Sequence, residues 1–405
     1  STFGLLYKKR FLCPSNVSIA KERMRVYTVT APDMEFNTVF GTAHIKSIIN
    51  IGIAMESKSV GILGSGAWGT GLAQALARGN HRIRMWAREA DVAESVNNDH
   101  ENKRYLPGYR LSENITVSND IVEAASDKEF LIIASPSLYI ADTVKKITAL
   151  PGIADGSTCI AVLTKGFVPA ADGPKLVLST IENLLPGIYK GCTVYVSGPS
   201  HAEEVAVGKI TGLVAACENP RNSIRVRELL RVPGILPYSS FDVVGVQICA
   251  AAKNVIAVVY GAMDALAETS EEFGDNAESL LMAAGLNEIQ TLGFAMGATH
   301  AETFTSIAGV GDLEVTCKSK YGRNRRFGQD LIKKDIMSQF SNLDDLIENM
   351  TKLGYLSEGA IACKYVHEIA QRKNLKLTIC DGLYRILNKE ISPRDFIAQL
   401  LTQEK

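Results

Sequence analysis

A single lysine interrupts one of the most apolar stretches of this 405-residue sequence. Lys253 lies within residues 248–257, a run otherwise too apolar to form a solvated face. A lysine in such a setting must extend to the surface, pair with an acid, or lie in a cleft with a lowered pKa. Burial and a second cation would bring its pKa into the range useful for proton transfer. Lys253 is therefore a candidate general base, with a structural lysine–acid pair as the alternative.

A second polar cluster follows Lys253 in the sequence and is suited to an anion. Residues 309–313 read Gly-Val-Gly-Asp-Leu, with Thr316 close behind, and residues 322–328 read Gly-Arg-Asn-Arg-Arg-Phe-Gly. Arg323 and Asn324 supply a planar guanidinium and an amide donor, which suit a phosphate group. The ordinary alternatives are a solvated helix face or a nucleic-acid patch. The balance of 43 Lys and Arg against 44 Asp and Glu argues against nucleic acid and favours a small anion.

A glycine-rich turn near residue 64 predicts a nucleotide site. An apolar, strand-like segment runs into Gly64-Ser-Gly-Ala-Trp-Gly69, and an Ala/Leu-rich helical segment follows. Gly64 permits the tight turn, Gly66 lets backbone amides approach a pyrophosphate, and Gly69 lets the helix pack closely on the strand. The helix N-terminus adds unpaired N–H donors and a partial positive charge. The motif predicts dinucleotide binding, with a plain glycine-rich turn as the alternative.

Alternating strand and helix patterns must position these residues. Further strands are predicted at residues 82–86, 130–134, 158–163, 194–197 and 212–216, with helices at 138–147, 175–184 and 222–230. Such alternation predicts a parallel, doubly wound sheet with right-handed crossovers. After residue 241 the patterns become helical, as at 278–296, 343–352 and 359–372. The fold class is therefore α/β, with a Rossmann-type, mainly parallel sheet domain (58–240) and an all-helical domain (241–405).

Chemistry is expected where the carboxyl edge of the sheet meets the helical domain. Lys165 directly follows the strand at 158–163 and should project from that edge. Ser200 and Glu203 follow the strand at 194–197 with the spacing of a capping box, which would close the start of a helix. A capping box leaves room for a substrate contact by Gly198 or Ser200, so both interpretations stay open.

Composition limits the class of protein. With 46% hydrophobic residues, the chain can bury a large core in two or three domains. The apolar stretch at 243–266 is interrupted by charged residues, which favours a buried helix or helix pair over a membrane span. The eight cysteines are scattered, without a C-x-x-C pair or zinc spacing, which predicts buried free thiols in a reducing compartment. Neither a metal nor a membrane partner is expected.

The first 54 residues differ from the rest. They carry seven Lys or Arg against three Asp or Glu, lack clear periodicity, and end before Met55, a plausible natural start. We interpret residues 1–57 as an extension of unclear role, and we favour an upstream segment without a role in the fold. These residues show no apolar region followed by a cleavage site, so we do not expect a secretory signal. The expected location is the cytoplasm, or an organelle if residues 1–54 are a transit peptide.

Seven short motifs occur in order along the chain. They are the glycine loop, Asn102-x-x-Tyr105-Leu106-Pro107, Thr164-Lys165-Gly166, Ser197-Gly198-Pro199-Ser200, Ala252-Lys253-Asn254, Gly311-Asp312-Leu313 and Gly322-Arg323-Asn324-Arg325. Together, over about residues 59–400, they resemble the soluble, bacterial-type family of NAD(P)-dependent glycerol-3-phosphate dehydrogenases. The resemblance implies reversible reduction of dihydroxyacetone phosphate to sn-glycerol 3-phosphate by NAD(P)H. The product would supply the synthesis of glycerophospholipids. It also implies a homodimer formed through the helical domain.

The resemblance also implies roles for individual residues. Lys253 would take the C2 hydroxyl proton, or donate it in reverse, with Lys165 and Asp312 as its catalytic partners. A nearby ammonium would lower the pKa of Lys253, while Asp312 would orient the lysine and oppose that shift. The substrate would contact Lys165, Gly198, Ser200, Lys253, Asp312, Gly322, Arg323 and Asn324. The NAD or NADP cofactor would contact Gly64, Gly66, Ala67, Trp68, Gly69, Arg88, Glu89, Lys165, Ala202, Arg323, Leu356 and Glu358.

Two questions stay open. The dinucleotide fingerprint expects an acid about 20 residues after the glycines, and Glu89 at that spacing favours NAD. Arg88 beside it could stack on adenine or accept the 2′-phosphate of NADP. Two other functions are alternatives to the predicted one. One is a hydroxy-acid dehydrogenase, which would need a site that binds a carboxylate, and the other is a non-catalytic nucleotide sensor. The sensor predicts a missing general base, whereas Lys253, Lys165 and Asp312 are all present.

Overall fold

An eight-stranded sheet forms the first part of the structure, a computed structural model that describes residues 56–402. The described strands, of which β3 with β4 and β8 with β9 form two separate two-stranded sheets, are β1 (Ser59–Leu63), β2 (Arg82–Trp86), β3 (Glu101–Asn102), β4 (Leu106–Arg110), β5 (Ile115–Ser118), β6 (Phe130–Ile133), β7 (Cys159–Val162), β8 (Phe167–Val168), β9 (Lys175–Leu176), β10 (Val194–Ser197), β11 (Thr211–Ala216) and β12 (Ile235–Ser240). The predictions for residues 1–55 lie outside the described residues.

Helices cover both faces of the sheet and make up the rest of the described chain. They are α1 (Ala67–Arg78), α2 (Ala90–Asp99), α3 (Ile121–Ala125), α4 (Ile140–Lys145), α5 (Pro151–Ala154), α6 (Val177–Leu184), α7 (Ala202–Ala206), α8 (Pro220–Leu229), α9 (Val243–Ala267), α10 (Asp275–Met296), α11 (Glu302–Thr305), α12 (Asp312–Lys318), α13 (Arg323–Lys333), α14 (Leu343–Glu348), α15 (Glu358–Lys373), α16 (Thr378–Leu387) and α17 (Pro393–Thr402). The predicted α/β fold class, a Rossmann-type sheet followed by helices, is confirmed.

The strand order of the main sheet places the glycine-rich turn at its centre. The order is β12-β11-β10-β7-β6-β1-β2-β5, so the chain builds outward from β1 in both directions. The crevice between β1 and β6 is therefore the switch point at which ligands bind in such sheets. The central strands β6 and β7 have every residue buried, as expected for strands covered on both faces.

The sheet differs from the sequence prediction in three places. β11 runs antiparallel to β10, whereas the other described pairs in this sheet are parallel; only the five-residue α7 lies between them, and the chain turns back. The strands β5 and β12 were not predicted. β5 is only four residues long, and β12 contains Pro237, which an edge strand tolerates because one side of its ladder is unpaired.

The helix α9 is the core of the second half. It runs for 25 residues from Val243, two residues after the last strand has ended, and is buried over most of its length. It is long and apolar enough to cross a membrane, but 89% of its most apolar 18-residue stretch is buried inside the protein. The predicted buried helix is confirmed as one continuous helix that carries Lys253.

Two glycines bring α9 and α13 into backbone contact. A Cβ atom on Gly261 of α9 would lie 2.0 Å from the carbonyl oxygen of Arg325, and one on Gly328 of α13 would lie 1.9 Å from that of Val258. Real Cβ atoms do not approach so closely, so only glycine fits at either position. The N-terminus of α13, which carries Arg323, is therefore held at a fixed place along α9.

A buried carboxylate fixes the start of α9. Asp242 is the N-cap residue, and its Oδ1 accepts from the backbone N–H groups of Gly245 at 3.0 Å and Thr299 at 3.1 Å. Its Oδ2 accepts from the Thr303 hydroxyl at 2.7 Å. These bonds join three segments of the helical half, so Asp242 both caps a helix and ties it to the loop and helix that follow α10.

The cysteines in residues 56–402 are all free thiols, and all but Cys192 are buried. Burial raises the pKa of Cys159 to about 11 and the pKa values of Cys217 and Cys317 to about 12. The prediction of buried free thiols is thus confirmed for six of the seven described cysteines, and Cys192 is a free thiol that is only partly buried; Cys13 lies outside the described residues.

Candidate active site

Two lysines share one buried aspartate between the sheet and the helical half. The Lys253 ammonium lies 2.5 Å from Asp312 Oδ1, and that of Lys165 lies 3.0 Å from Asp312 Oδ2. Asp312 is the first residue of α12, Lys253 lies on α9, and Lys165 follows β7. The side chains of Lys253 and Asp312 are 6% and 1% exposed. The structure therefore brings the three predicted catalytic residues together.

Thr316 completes this cluster. Its hydroxyl accepts from the Lys253 ammonium at 2.7 Å and donates to the backbone carbonyl of Asp312 at 2.6 Å. An ammonium has three N–H donors, and these two partners take two of them. The third is left for a ligand oxygen. Sequence analysis grouped Thr316 with the polar cluster suited to an anion but did not predict its contact with Lys253, although the spacing i, i+4 from Asp312 places both on one helix face.

The electrostatics of the cluster make Lys253 titratable near neutral pH. Burial, the strongest effect, and the Lys165 charge lower the pKa of Lys253 to about 8, although Asp312 opposes the shift. Burial would raise the pKa of Asp312, but the two ammonium groups outweigh it and hold that pKa below its usual value. The alternatives considered for Lys253 therefore combine: it is paired with an acid and still has a lowered pKa.

The loop after β10 forms a second wall beside Asp312. The Ser197 hydroxyl donates to Asp312 Oδ2 at 3.4 Å. Gly198 has φ +136°, and a Cβ there would lie 2.5 Å from the carbonyl oxygen of Gly212, so the turn requires glycine. Ser200 donates its hydroxyl proton to the Gly198 carbonyl at 2.9 Å. Backbone and hydroxyl groups thus line the edge of the cluster, and Ser197 was not among the predicted residues.

The predicted capping box of Ser200 and Glu203 is wrong. The N-cap residue of α7 is His201, without a side-chain cap, so Ser200 lies one residue too early to reach the free N–H groups of the helix. Its hydroxyl instead bonds within its own turn. The alternative interpretation, a wall of the substrate pocket, is compatible with this geometry.

The start of α13 provides an exposed cation beside the cluster. Gly322 is the N-cap residue, and the exposed Arg323 follows it as the first helical residue. Within residues 56–402 the Arg323 guanidinium has no hydrogen-bond or ion-pair partner. A guanidinium at a helix N-terminus combines a full and a partial positive charge. The arrangement suits a phosphate.

Asn324 is engaged within the protein. Its Nδ2 donates to Asn254 Oδ1 at 2.9 Å, and its Oδ1 accepts from the backbone N–H of Gly359 at 2.9 Å. These bonds connect α9, α13 and the start of α15. Its side chain therefore braces the site, and the backbone N–H at the helix start is the group it can offer to an anion.

The hydrogen bonds of Asn324 also hold the start of α15 close to Asn254, the neighbour of Lys253 on α9. Leu356 and Glu358 flank Ser357, the N-cap residue of α15, whose hydroxyl is buried and has no hydrogen-bond partner within residues 56–402. The Nδ2 of Asn254 is likewise buried and has no partner among the described residues. Unsatisfied buried polar atoms are costly and mark places where a ligand or water completes the bonding. Asn254, quoted only as part of a motif, is therefore a further candidate for the site.

The glycine-rich turn has the geometry of a pyrophosphate cradle. Gly64 has φ +127°, and a Cβ on Gly69 would lie 2.4 Å from the carbonyl oxygen of Gly64. A Cβ on Gly66 would meet nothing within 4 Å, so open space lies against the turn. In the part of the chain that the structure describes, no side chain caps α1, and the buried indole N–H of Trp68 has no hydrogen-bond partner. These free donors around an open space fit a dinucleotide.

Asn102 holds this cradle in place. Its Nδ2 donates at 2.8 Å to both the Ser65 carbonyl and the Thr70 hydroxyl, and its Oδ1 accepts from the Tyr105 backbone at 3.0 Å. These contacts give a physical reason for the Asn-x-x-Tyr motif. The pairing spans more than 30 residues, so sequence spacing alone did not reveal it.

Ala202 is brought to the cofactor helix by close packing. A Cβ on Gly71 of α1 would lie 2.9 Å from the carbonyl oxygen of Ala202. The start of α7 therefore contacts α1, and the loop at 198–201 lies between the cradle and the lysine cluster. This placement agrees with the expected cofactor contact of Ala202.

Arg88 and Glu89 follow β2 at the predicted ribose position and pair with each other. Glu89 Oε1 accepts from Arg88 Nε at 3.1 Å and from Nη2 at 2.9 Å. The guanidinium also lies 5.8 Å from the ring centre of Tyr139. A positively charged planar group and an aromatic ring thus flank this position, together with the carboxylate. In the described part of the chain, no cluster of three or more His, Cys, Asp or Glu side chains could hold a metal.

Two family profiles match the chain. The profile for the N-terminus of NAD-dependent glycerol-3-phosphate dehydrogenase covers residues 59–223, and that for its C-terminus covers residues 242–398. The glycerol-3-phosphate dehydrogenase (NAD(P)+) of Treponema denticola is 55% identical over 348 residues, 84% of this chain and 98% of the relative. That of Bacillus velezensis is 34% identical over 351 residues, 86% of this chain and 96% of the relative.

Solved structures agree. The crystal structure of glycerol-3-phosphate dehydrogenase from Coxiella burnetii superposes with a TM-score of 0.73 at 30% identity, covering 85% of this chain and 99% of that one. The Plasmodium falciparum enzyme, at 21% identity and a TM-score of 0.72, shares the fold over 89% of this chain and 99% of its own. The resemblance seen in the seven motifs is confirmed: this chain belongs to the NAD(P)-dependent glycerol-3-phosphate dehydrogenase family.

Proposed function

We propose that Lys253 transfers the proton at the C2 oxygen of the substrate in this NAD(P)-dependent glycerol-3-phosphate dehydrogenase. The observation that carries the proposal is a buried ammonium, 2.5 Å from Asp312, with its pKa lowered to about 8. A proton-transfer group works best when its pKa lies near the working pH. An ordinary surface lysine, with a pKa near 10.5, would hold its proton too tightly to act as a base.

The neighbours of Lys253 orient its remaining N–H. Asp312 Oδ1 and the Thr316 hydroxyl fix two directions of the ammonium. The third N–H donates to the carbonyl oxygen of dihydroxyacetone phosphate during reduction. In the reverse direction the neutral amine accepts the C2 hydroxyl proton of glycerol 3-phosphate. When bound, the nicotinamide supplies or accepts the hydride, and the protein contributes position and charge.

Arg323 and the start of α13 bind the substrate phosphate. The guanidinium is unpaired within the described residues and stands at the N-terminus of an 11-residue helix. Its bonds to a phosphate would be charge-assisted and directional. Gly198 and Ser200 close the other side of the pocket through their backbone groups. At the far end, the free amides of residues 66–69 and the indole of Trp68 would hold the cofactor pyrophosphate.

The protonation state of Lys253 at neutral pH suits the reducing direction. A lysine with a pKa of about 8 is mostly protonated at neutral pH, so the acid required for carbonyl reduction is already loaded. We therefore assign the chain to dihydroxyacetone phosphate reduction in supply of glycerophospholipid backbones. Growth of a bacterial strain that cannot make glycerol 3-phosphate, restored by this chain without added glycerol, would support the assignment. Failure of an active protein to restore growth would contradict it.

A homodimer formed through the helical half is part of the same proposal. Leu280 and Phe294 of α10 are 56% and 46% exposed, and such large apolar side chains favour contact with a partner surface. Light scattering after gel filtration should give twice the mass of the chain. Glutamate at both positions should give a monomer; a wild-type monomer would refute the pairing.

The decisive test of the lysine role is Lys253→Met. The variant keeps the length of the side chain and removes the titrating amine, so oxidation of NADH by dihydroxyacetone phosphate should fall at least about 1,000-fold, near the upper range for general acid–base catalysis. Binding of NADH, followed by fluorescence, should persist. Lys145→Met, on an exposed lysine paired with Asp142, is the matched control. Near-normal turnover of Lys253→Met would refute the assignment.

A further inference from the structure

His201 reaches from the sheet half into the helical half of the active site. It lies between Ser200 and Ala202 as the N-cap residue of α7, yet its side chain does not cap that helix. Its Nε2 lies 3.3 Å from the backbone carbonyl of Val315 on α12. Its ring packs against Tyr321 with centroids 6.0 Å apart and a tilt of 52°. The sequence analysis gave this histidine no role.

The two contacts fall on the two parts of the helical half that meet the substrate. Val315 lies between Asp312 and Thr316, the partners of the Lys253 ammonium. Tyr321 directly precedes Gly322 and Arg323, the proposed phosphate site. One side chain from the loop after β10 therefore contacts both the helix that orients the proton-transfer lysine and the turn that presents the guanidinium.

The chemistry of the contact defines the state of the ring. A carbonyl oxygen only accepts, so Nε2 must carry the hydrogen and donate it to Val315. Burial lowers the pKa of His201; the bond to Val315 opposes this, and the charges of Lys253 and Lys165 lower the pKa further. The ring is therefore a neutral donor at physiological pH. It supports α12 without placing a third positive charge beside the two lysines.

We propose that His201 is a positioning residue with two separable actions: its N–H holds α12 in register for proton transfer, and its ring supports the Tyr321–Arg323 turn for phosphate binding. The contacts of Lys165 and Ser197 with Asp312 also join the two halves, but both belong to the charged cluster itself. His201 is a neutral link between the halves outside that cluster. The inference rests on the proposed roles of Lys253 and Arg323.

Two substitutions separate the actions. His201→Phe keeps an aromatic ring against Tyr321 but has no donor, whereas His201→Gln keeps an N–H at a similar distance but has no ring. We expect His201→Phe to lower kcat about 3- to 10-fold with KM for dihydroxyacetone phosphate nearly unchanged, the effect of one lost hydrogen bond. We expect His201→Gln to keep kcat and raise that KM about 3- to 10-fold, as loss of an aromatic pair predicts.

Controls keep the test interpretable. His300→Gln removes an exposed histidine whose ring nitrogen lies near the Thr299 hydroxyl, and it should leave both constants unchanged. Tyr321→Leu should reproduce the KM effect of His201→Gln with kcat retained, which supplies a second measurement of the ring contact if His201→Gln does not fold. Thermal unfolding of each variant shows whether a loss of activity only follows a loss of stability.

The outcomes divide clearly. A kcat effect confined to the phenylalanine variant and a KM effect confined to the glutamine variant support the proposal. Wild-type constants in both variants, or equal changes that follow unfolding temperature, overturn it. An active Lys253→Met would instead remove the proposed function, so the two failures are distinguishable.

Discussion

Replacing Asp312 by asparagine should move the pH dependence of the reaction to lower pH. The substitution keeps the shape of the side chain and removes the charge that lies 2.5 Å from the Lys253 ammonium and 3.0 Å from that of Lys165. In the wild type, Asp312 opposes the burial and the like charge that lower the pKa of Lys253 to about 8. Without the anion, both lowering effects remain and nothing of opposite sign balances them.

The size of the shift follows from the contact distance. An opposite charge within hydrogen-bonding distance changes a pKa by about one to three units, so the pKa of Lys253 should fall from about 8 to about 5–7. Oxidation of glycerol 3-phosphate needs the neutral amine, so its rate rises with pH through this pKa. Reduction needs the ammonium, which at pH 7 would fall from the major form to a minority of about one tenth if the pKa reached about 6.

The assay is the rate of NADH formation from glycerol 3-phosphate between about pH 5 and 10, with the midpoint of the rise in kcat as the readout. Lys165→Met is the matched variant of opposite sign, because removal of the neighbouring ammonium should raise the midpoint. Loss of a buried ion-pair partner also destabilises a protein by about 3–5 kcal/mol, so thermal unfolding is measured in parallel. A midpoint for Asp312→Asn at or above the wild-type value would refute this electrostatic reasoning, as would shifts of both variants in one direction.

Three further predictions concern binding and stability. Arg323→Ala should raise KM for dihydroxyacetone phosphate about 10- to 100-fold with a small effect on kcat, the loss expected for a charge-assisted hydrogen bond, and steady-state kinetics would check it; a larger effect on kcat would place the residue at the reacting atoms. Arg88→Ala should lower kcat/KM more with NADPH than with NADH, and equal losses would exclude a contact with the 2′-phosphate. Asp242→Ala should lower the free energy of unfolding in urea by about 2–4 kcal/mol, because three donors, two of them buried, lose their acceptor. Asn342→Ala, which removes an exposed cap on Asp345 at 2.9 Å, should cost only about 1 kcal/mol; equal costs would contradict the role of burial.

The sequence predicted those parts of the structure that depend on local pattern. Continuous apolar runs predicted β6 and β7, and the apolar sequence around Lys253 identified that residue as a candidate for the site. Lys165 was placed correctly at the edge of the sheet because it follows a strand. Asp312 and Arg323 were assigned to the same site only through the family resemblance of the ordered motifs. Periodicity alone could not have connected them with Lys253, because some 60 or more residues separate them.

What the sequence did not predict depends on contacts between distant segments or on the position of a helix end. Thr316 gains its role only because α12 begins at Asp312, and Asn102 only because its side chain reaches the glycine loop. The start of α7 lies one residue later than the capping box requires, which changed the partner of Ser200. Asn324 has the composition of a phosphate ligand, but two long-range hydrogen bonds occupy its side chain.

The crossing of α9 and α13 constrains how this sequence can vary. Apolar residues around the crossing can exchange for others of similar volume, since cores tolerate such swaps. Gly261 and Gly328 cannot, because any side chain would push the helices apart and lengthen the span from Lys253 to Arg323. In the proposed mechanism, the crossing of the two helices therefore sets the distance between the reacting carbon of the substrate and its phosphate. In the proposed mechanism, the spacing of these two groups depends on two positions that are not among the proposed substrate contacts, and we expect both glycines to stay fixed while their surroundings vary.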